Sequence, residues 1–215
     1  VAADTSLAGT RAFYSIPFGC IERPTVRGTP REKGMYEVPA LGWADLSDGK
    51  HGVAILNTGR HGHDALGGRL RLTLLTSPYG GEKVHVPDPL ADRGRHEIHY
   101  AFLPHTGGPN EARLARASMD YECSPLAANG APRGAAAGCD GLLIEDDRIG
   151  FSGLKPAEDG KGVILRVFES AGEKAPLRVS GTLAGQCRAV NFLEDDLGAA
   201  PKQLKPHQVV SLRIT

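Results

Sequence analysis

Apolar and polar residues alternate with a period of two along much of this chain. Leu70, Leu72 and Leu74 fall on one side of an extended segment, with Arg69, Arg71 and Thr73 on the other. That is the pattern of a strand with one face on a core and the other in water. The alternation returns at Val163, Leu165 and Val167, at Leu177, Val179 and Leu183, and at Val210, Leu212 and Ile214 against Val209, Ser211 and Arg213. Asp48-Gly49, Gly67-Gly68, Gly80-Gly81, Asp159-Gly160 and Ala171-Gly172 separate such runs, and each supplies a residue that tolerates the positive φ of a tight hairpin. The pattern predicts an all-β chain of antiparallel β-sandwiches.

One segment breaks the period. Asn110 to Tyr121 follows Gly107-Gly108-Pro109 and is rich in Ala, Leu, Arg and Glu, which predicts a short peripheral helix capped by Asn110. Beyond it, the run from Ala127 to Gly138 is almost all small residues and cannot bury much apolar surface. We therefore expect a larger sandwich over 1–125, a linker or long loop over 126–140 and a small sandwich over 141–215. Its strands are expected near 141–145, 162–169, 175–183, 186–193 and 208–214. No internal repeat is visible.

Composition narrows the function. Lys plus Arg equal Asp plus Glu at 25 each, so no global field favours nucleic acid or an anionic membrane. Apolar runs such as Leu72–Leu75 and Gly141–Ile144 are far shorter than the roughly 20 residues of a spanning helix. The start, Val1-Ala2-Ala3-Asp4-Thr5, has neither an initiator Met nor a signal peptide's basic and apolar regions, and reads as a cut. Cys20, Cys123, Cys139 and Cys187 form no CxxC pair, against a zinc knuckle or a disulfide-dense scaffold. A Cys123–Cys139 bridge stays open beside free thiols in a cytoplasmic protein.

Candidate chemistry is sparse. A retaining glycosidase needs two carboxyl groups about 5 Å apart; the adjacent pairs Asp146-Asp147 and Asp195-Asp196 flank predicted turns and read as solvated loops. His61-Gly62-His63-Asp64 places two imidazoles on one face if extended, which makes a metal site conceivable, although the neighbouring glycines favour a loop of hydrogen-bonded histidines. His96 and His99 fall on opposite faces if His96–Leu103 is a strand. No Gly-x-Ser-x-Gly elbow, phosphate loop or dinucleotide fingerprint occurs. From Pro87 to Glu97 charge is concentrated in a segment that prolines stiffen; it could present Arg93 to a ligand, or be a solvated turn held by local salt bridges.

Ordered motifs across nearly the whole chain resemble the region downstream of the catalytic domain in glycoside hydrolase family 38 α-mannosidases, especially the bacterial and cytosolic type. They are Ile16-Pro17-Phe18-Gly19 with Ile21-Glu22-Arg23-Pro24-Thr25, Glu37-Val38-Pro39-Ala40, Trp43-Ala44-Asp45-Leu46-Ser47 and Gly52-Val53-Ala54-Ile55-Leu56-Asn57. Further along stand Leu70-Arg71-Leu72-Thr73-Leu74-Leu75 with Ser77-Pro78, then Pro87-Asp88-Pro89 through Ala91-Asp92 to Gly94-Arg95-His96-Glu97. Tyr100-Ala101-Phe102 with Pro104-His105 and the strand Gly162–Glu169 complete the set. The chain departs from the family pattern at Arg27–Lys33 and at Thr58-Gly59-Arg60-His61, so the resemblance assigns those loops no substrate contact.

The resemblance implies a galactose-mutarotase-like supersandwich followed by an immunoglobulin-like sandwich. It also implies an Asp nucleophile, an Asp acid/base and a zinc or similar divalent ion, all in an upstream domain that this sequence does not contain. The expectation is thus a non-catalytic part of a retaining α-mannosidase, with no catalytic residue and no metal ligand of its own. Its implied partners are the upstream catalytic domain, an α-mannoside touched indirectly and a homo-oligomer, with neither nucleic acid nor membrane. In some family members a sandwich arginine reaches the active site from a turn similar to Asp92-Arg93-Gly94, which makes Arg93, Arg95 and His96 the candidate substrate-binding residues. The alternative is an autonomous carbohydrate-binding or assembly module, for which one Trp and five Tyr are a thin aromatic supply.

Overall fold

The structure, a computed structural model, describes residues 1–76, 91, 93–123 and 141–215. They divide into two compact units, one of Val1–Ser15 and Ile21–Leu114, the other of Ile16–Cys20 and Ala115–Thr215. Nearly all regular structure is antiparallel strand, as the two-residue period requires.

The first unit's elements are β1 (Ala2–Asp4), β2 (Arg11–Ile16), β3 (Gly19–Arg23), α1 (Pro30–Gly34), β4 (Val38–Pro39), β5 (Trp43–Ser47), β6 (His51–Asn57), β7 (Gly62–Leu66), β8 (Arg69–Leu72) and β9 (Tyr100–Thr106). They form a four-stranded sheet ordered β1-β8-β7-β4 and a five-stranded sheet ordered β3-β2-β5-β6-β9. Ala12, Tyr14, Ala44, Leu46 and Ile55 from the larger sheet meet Val38, Ala65, Leu70 and Leu72 from the smaller in one buried cluster. Alternation accounts for it: Leu70 and Leu72 point inward while Arg69 pairs with Asp4 and Arg71 with Asp64. Full burial of each leucine contributes about 1.5–3 kcal/mol.

Along β5 every residue is buried. Ala44 and Leu46 join the cluster, and Trp43, Asp45 and Ser47 occupy the opposite face of the same strand. The Asp48-Gly49 turn joins β5 to β6 with Gly49 at φ 87°, and Gly67 at φ 59° turns β7 into β8, in the left-handed region that favours glycine.

The second unit contains α2 (Leu114–Glu122, its first residue counted with the first unit), β10 (Leu143–Ile144), β11 (Ile149–Pro156), β12 (Val163–Glu169), β13 (Ala175–Pro176), β14 (Val179–Ser180), β15 (Cys187–Val190), β16 (Asp196–Ala199), β17 (Gln203–Leu204) and β18 (Val209–Ile214). A five-stranded sheet ordered β11-β12-β18-β15-β16 is accompanied by two-stranded ladders β10-β14 and β13-β17. Ile149, Leu165, Val167, Leu212 and Ile214 from the large sheet bury against Ala175 and Leu204 from the short ladders, with Ile144 and Val179 at the margin.

The elements differ from the pattern-based expectation in several places, β16 and β17 being additional short strands. The helix begins at Leu114, not Asn110, because Asn110–Arg113 form a turn that ends with Arg113 at φ 54°. The run 175–183 is two short ladders, because Pro176 supplies no N–H to extend one. The strand β11 was not expected at all: Gly150, Ser152 and Gly153 interrupt its apolar alternation, and a register shift between Phe151 and Gly153 marks a bulge. The expected linker 126–140 and the Gly80-Gly81 turn lie outside the described residues.

Candidate functional site

Arg93, Arg95 and His96 lie in an exposed segment without regular structure, 93–99, that leads into β9. Asp92 and the prolines at 87 and 89 lie outside the described residues. The strand expected from His96 starts only at Tyr100, where the ladder with β6 opens at Asn57–Tyr100. His99 is therefore in the loop, its backbone carbonyl accepting from Thr58 N at 3.3 Å, and the expected facing of His96 against His99 does not arise. Tyr100 and Phe102, both partly exposed on one face of β9, meet edge to face at 5.9 Å. The segment from Arg93 to Glu97, four polar or charged residues with Gly94 at φ 133° among them, has no apolar alternation to hold it on a sheet.

His61 and His63 serve the fold. His63, fully buried on β7, has Nδ1 3.2 Å from the His61 carbonyl and Nε2 3.4 Å from Asn57 Nδ2. These partners place the proton on Nδ1, and burial holds the imidazole below its ordinary pKa. His61 Nδ1 lies 3.1 Å from the Ala40 carbonyl. Among the described residues no three His, Cys, Asp or Glu side chains converge as a ligand set.

A buried Asp–His–Ser group went unnoticed in the sequence. The His105 Nε2–H donates to Asp45 Oδ1 at 2.8 Å, and Ser47 Oγ donates to Asp45 Oδ2 at 2.8 Å. Burial pulls the His105 pKa down, but the hydrogen bond and charge of Asp45 raise it further than burial lowers it. The order of bonds decides the chemistry: a nucleophilic serine must give its proton to the imidazole, whereas Ser47 is bonded to the carboxylate. Gly52 separates Ser47 from His105 in the sheet, and a Cβ there would lie 2.5 Å from His105 Cε1. The group holds three strands in register.

The other conspicuous carboxylates are held locally. Asp146 takes a two-pronged pair from Arg148, Asp195 accepts from Asn191, and Asp196 pairs with Arg188. Glu169, fully buried at the end of β12, accepts from the backbone N–H groups of Ala171, Gly172 and His207 at 2.8–2.9 Å. Cys20, Cys123 and Cys187 are free thiols; Cys139 lies outside the described residues.

A concavity of about 290 Å³ in the first unit lies beside α1. Local sequence explains its wall. Thr29 caps α1 by accepting from Glu32 N, while Glu32 Oε2 accepts from Thr29 N at 2.8 Å, and Pro30 occupies the first turn. The Thr-x-x-Glu spacing was legible in the sequence, and that signal finds this wall. Arg27 and Arg71 both reach the nearly buried Asp64 carboxylate, and both guanidinium groups lie near the Tyr36 ring, at 4.8 and 5.5 Å. Tyr14 lies beneath, its phenol pushed up to about 12 by burial and by the charge of Asp64. Arg23 lies 5.8 Å from the Tyr14 ring.

Two antiparallel β-sandwich units whose carboxylates and histidines mainly brace strands and turns define the class of protein: an all-β sandwich protein. Two family models match it, the glycosyl hydrolases family 38 C-terminal domain over residues 1–89 and the family 38 C-terminal beta sandwich domain over 148–212. The chain belongs to the C-terminal region of glycosyl hydrolase family 38. It is 34% identical to alpha-mannosidase G of Dictyostelium discoideum over 75% of this chain and 14% of that protein. It is also 34% identical to human alpha-mannosidase 2C1, over 76% of this chain and 15% of that protein. A solved alpha-mannosidase from Enterococcus faecalis V583 superposes with TM-score 0.84 at 17% identity, over 100% of this chain and 25% of that one. The chain thus spans about a seventh of the length of these curated relatives.

Proposed function

We propose that this chain is the non-catalytic C-terminal β-sandwich portion of a retaining α-mannosidase that hydrolyses terminal α-mannosides. In that role it supports an upstream catalytic domain, which supplies the nucleophile, the acid/base and a zinc or similar divalent ion. The observation that carries the reading is the pair of C-terminal family models in their expected order. The use of Asp45, Asp64, Asp146, Glu169 and Asp196 in structural hydrogen bonds supports it from the chemistry. Arg93, with Arg95 and His96 beside it, is the contribution we assign to the substrate side, from an exposed loop where an arginine can donate several bonds to sugar hydroxyls. We place the enzyme in the cytoplasm, and homo-oligomer assembly is a further role for the module. Among the described residues no helix is long and apolar enough to cross a membrane.

An autonomous sugar-binding module has less support. Trp43 is buried, and the exposed Tyr100 and Phe102 rings stand at 80° to one another, not as a flat stacking platform. The test is hydrolysis of a chromogenic α-mannoside with zinc or cobalt present, by the chain alone and after mixing with the upstream catalytic portion. We expect turnover only in the mixture, reduced by Arg93→Ala; turnover by the chain alone would refute the reading.

A further inference from the structure

The cavity beside α1 has an asymmetry in its hydrogen-bonding groups. Each carboxylate in its wall is engaged: Glu22 by Arg11, Glu32 by the backbone N–H groups of Gly28 and Thr29, and Asp64 by Arg27 and Arg71. Several donors are not. Arg23 Nε is buried without a hydrogen-bond partner, the Tyr14 hydroxyl has none among the described residues, and Arg31 has no ion-pair partner among them. Arg23 Nε is itself closed to solvent, so the hydrogen bonds open to a ligand are those of the Arg23 terminal N–H groups, the Arg31 guanidinium and the Tyr14 hydroxyl. The phenol of Tyr14, held neutral well above physiological pH, can serve only as a neutral hydrogen-bonding group there.

The remaining wall is apolar. Ile21, Val26, Met35 and Tyr36 are exposed around the rim, with Val38 and Ala65 deeper. A volume of about 290 Å³ corresponds to roughly ten water molecules at about 30 Å³ each, hence to an organic molecule of similar heavy-atom count. Donor groups at one place and hydrocarbon around them select a ligand with an acceptor head and an apolar body.

We propose that this cavity is a binding site for a small organic oxyanion, a carboxylate or phosphate ester carried on an aromatic or branched apolar body. Arg23 and Arg31 supply the countercharge, Tyr14 a hydroxyl donor, and Tyr36 with Met35 the surface against which the body packs. The site lies in the first unit.

The test is calorimetric and NMR titration of the 215-residue chain with benzoate, 4-nitrophenyl phosphate, neutral benzamide and inorganic phosphate. We expect saturable binding of benzoate or 4-nitrophenyl phosphate, with shifts at Tyr14, Met35 and Tyr36, and at least about tenfold weaker binding of benzamide. Comparing the two anions separates a carboxylate from a phosphate head. Arg23→Met should weaken the preferred anion at least about tenfold, and Tyr14→Phe about threefold, in a protein whose circular dichroism is unchanged. Tyr14→Phe removes one oxygen without altering ring packing, so it reads the site even if Arg23→Met unfolds. The proposal is overturned if neither organic anion saturates up to about 10 mM, if benzamide matches benzoate, if inorganic phosphate binds as well as the aryl ester, or if a folded Tyr14→Phe protein binds as tightly as the parent.

Discussion

Glu169→Ala is the sharpest test of how the second unit is held. The carboxylate is fully buried, and its oxygens accept from Ala171 N at 2.8 Å, Gly172 N at 2.9 Å and His207 N at 2.9 Å. One side chain thereby ties the loop after β12 to the turn before β18. Truncation leaves the Gly172 and His207 N–H groups without that acceptor, at about 1–3 kcal/mol each; Ala171 takes part in a further interaction and counts for less. Removing the buried charge returns part of its desolvation cost, which leaves a net loss of about 3 kcal/mol. For a chain of this size that corresponds to a fall in Tm of about 6–12 °C. Glu169→Gln retains one accepting oxygen, which can face Gly172 and His207, but turns an amide donor toward Ala171 N–H, and should cost about half as much. Scanning calorimetry and urea unfolding of both variants give the answer. A Tm drop under about 2 °C for the alanine variant, or a glutamine variant less stable than the alanine one, would refute the reasoning.

Three further outcomes are expected. Asp64→Asn should cost about 2–3 kcal/mol in urea unfolding, because Arg27 and Arg71 lose a nearly buried partner, with the exposure of Arg71 moderating the loss; it should also lower the Tyr14 titration from about 12 in an ultraviolet titration. His63 and His105 should oppose one another between about pH 5 and 8. His63, lowered by burial, takes a proton more readily when unfolded, so its contribution to stability falls as pH drops below the unfolded value near 6.5. His105 is raised, so its contribution is full below the unfolded value and is lost as pH rises through the folded one. His105→Gln should therefore steepen the loss of stability on acidification, and His63→Gln should flatten or reverse it, as read from unfolding midpoints across that range. Gly52→Ala should destabilise by about 2–3 kcal/mol, because its Cβ would lie 2.5 Å from His105 Cε1 and 2.6 Å from Ser47 Cβ; circular dichroism melts of the variant check this.

The sandwich class was legible because its strands obey a local rule. Leu70 and Leu72 on β8 alternate with Arg69 and Arg71, so a core that buries one set releases the other; Leu165 and Val167 on β12 keep the same period although Ile164 is buried on the opposite face. The glycines at 49, 67, 160 and 172 marked turns for an equally local reason, since each adopts positive φ. Strand β11 was illegible because its glycines and bulge erase the period. The Asp45–His105 pair was hidden for a different reason. Its members stand 60 positions apart, and only the pairing of β5, β6 and β9 brings them together. Glu169 and His207 were hidden in the same way, 38 positions apart. The loop bearing Arg93, Arg95 and His96 was legible as a loop, while its substrate role came from resemblance alone.

The segment Arg27–Lys33 ties these lessons together. In the sequence it was a departure from the family pattern and carried no role. In the fold it contains a self-contained capping box, Thr29 with Glu32, which builds α1 without any buried residue of its own. A helix that buries nothing contributes little to the core, so its placement is better explained by what it encloses. What it encloses is the cavity whose carboxylates are engaged and whose Arg23 Nε and Tyr14 hydroxyl are not. If α1 were only a surface turn, replacing Thr29 and Glu32 with alanine should change stability slightly and leave anion binding intact. If it is the wall of a site, the same change should weaken benzoate binding well beyond its effect on Tm, because the capping bonds position Arg27, Arg31 and Tyr36 around the cavity.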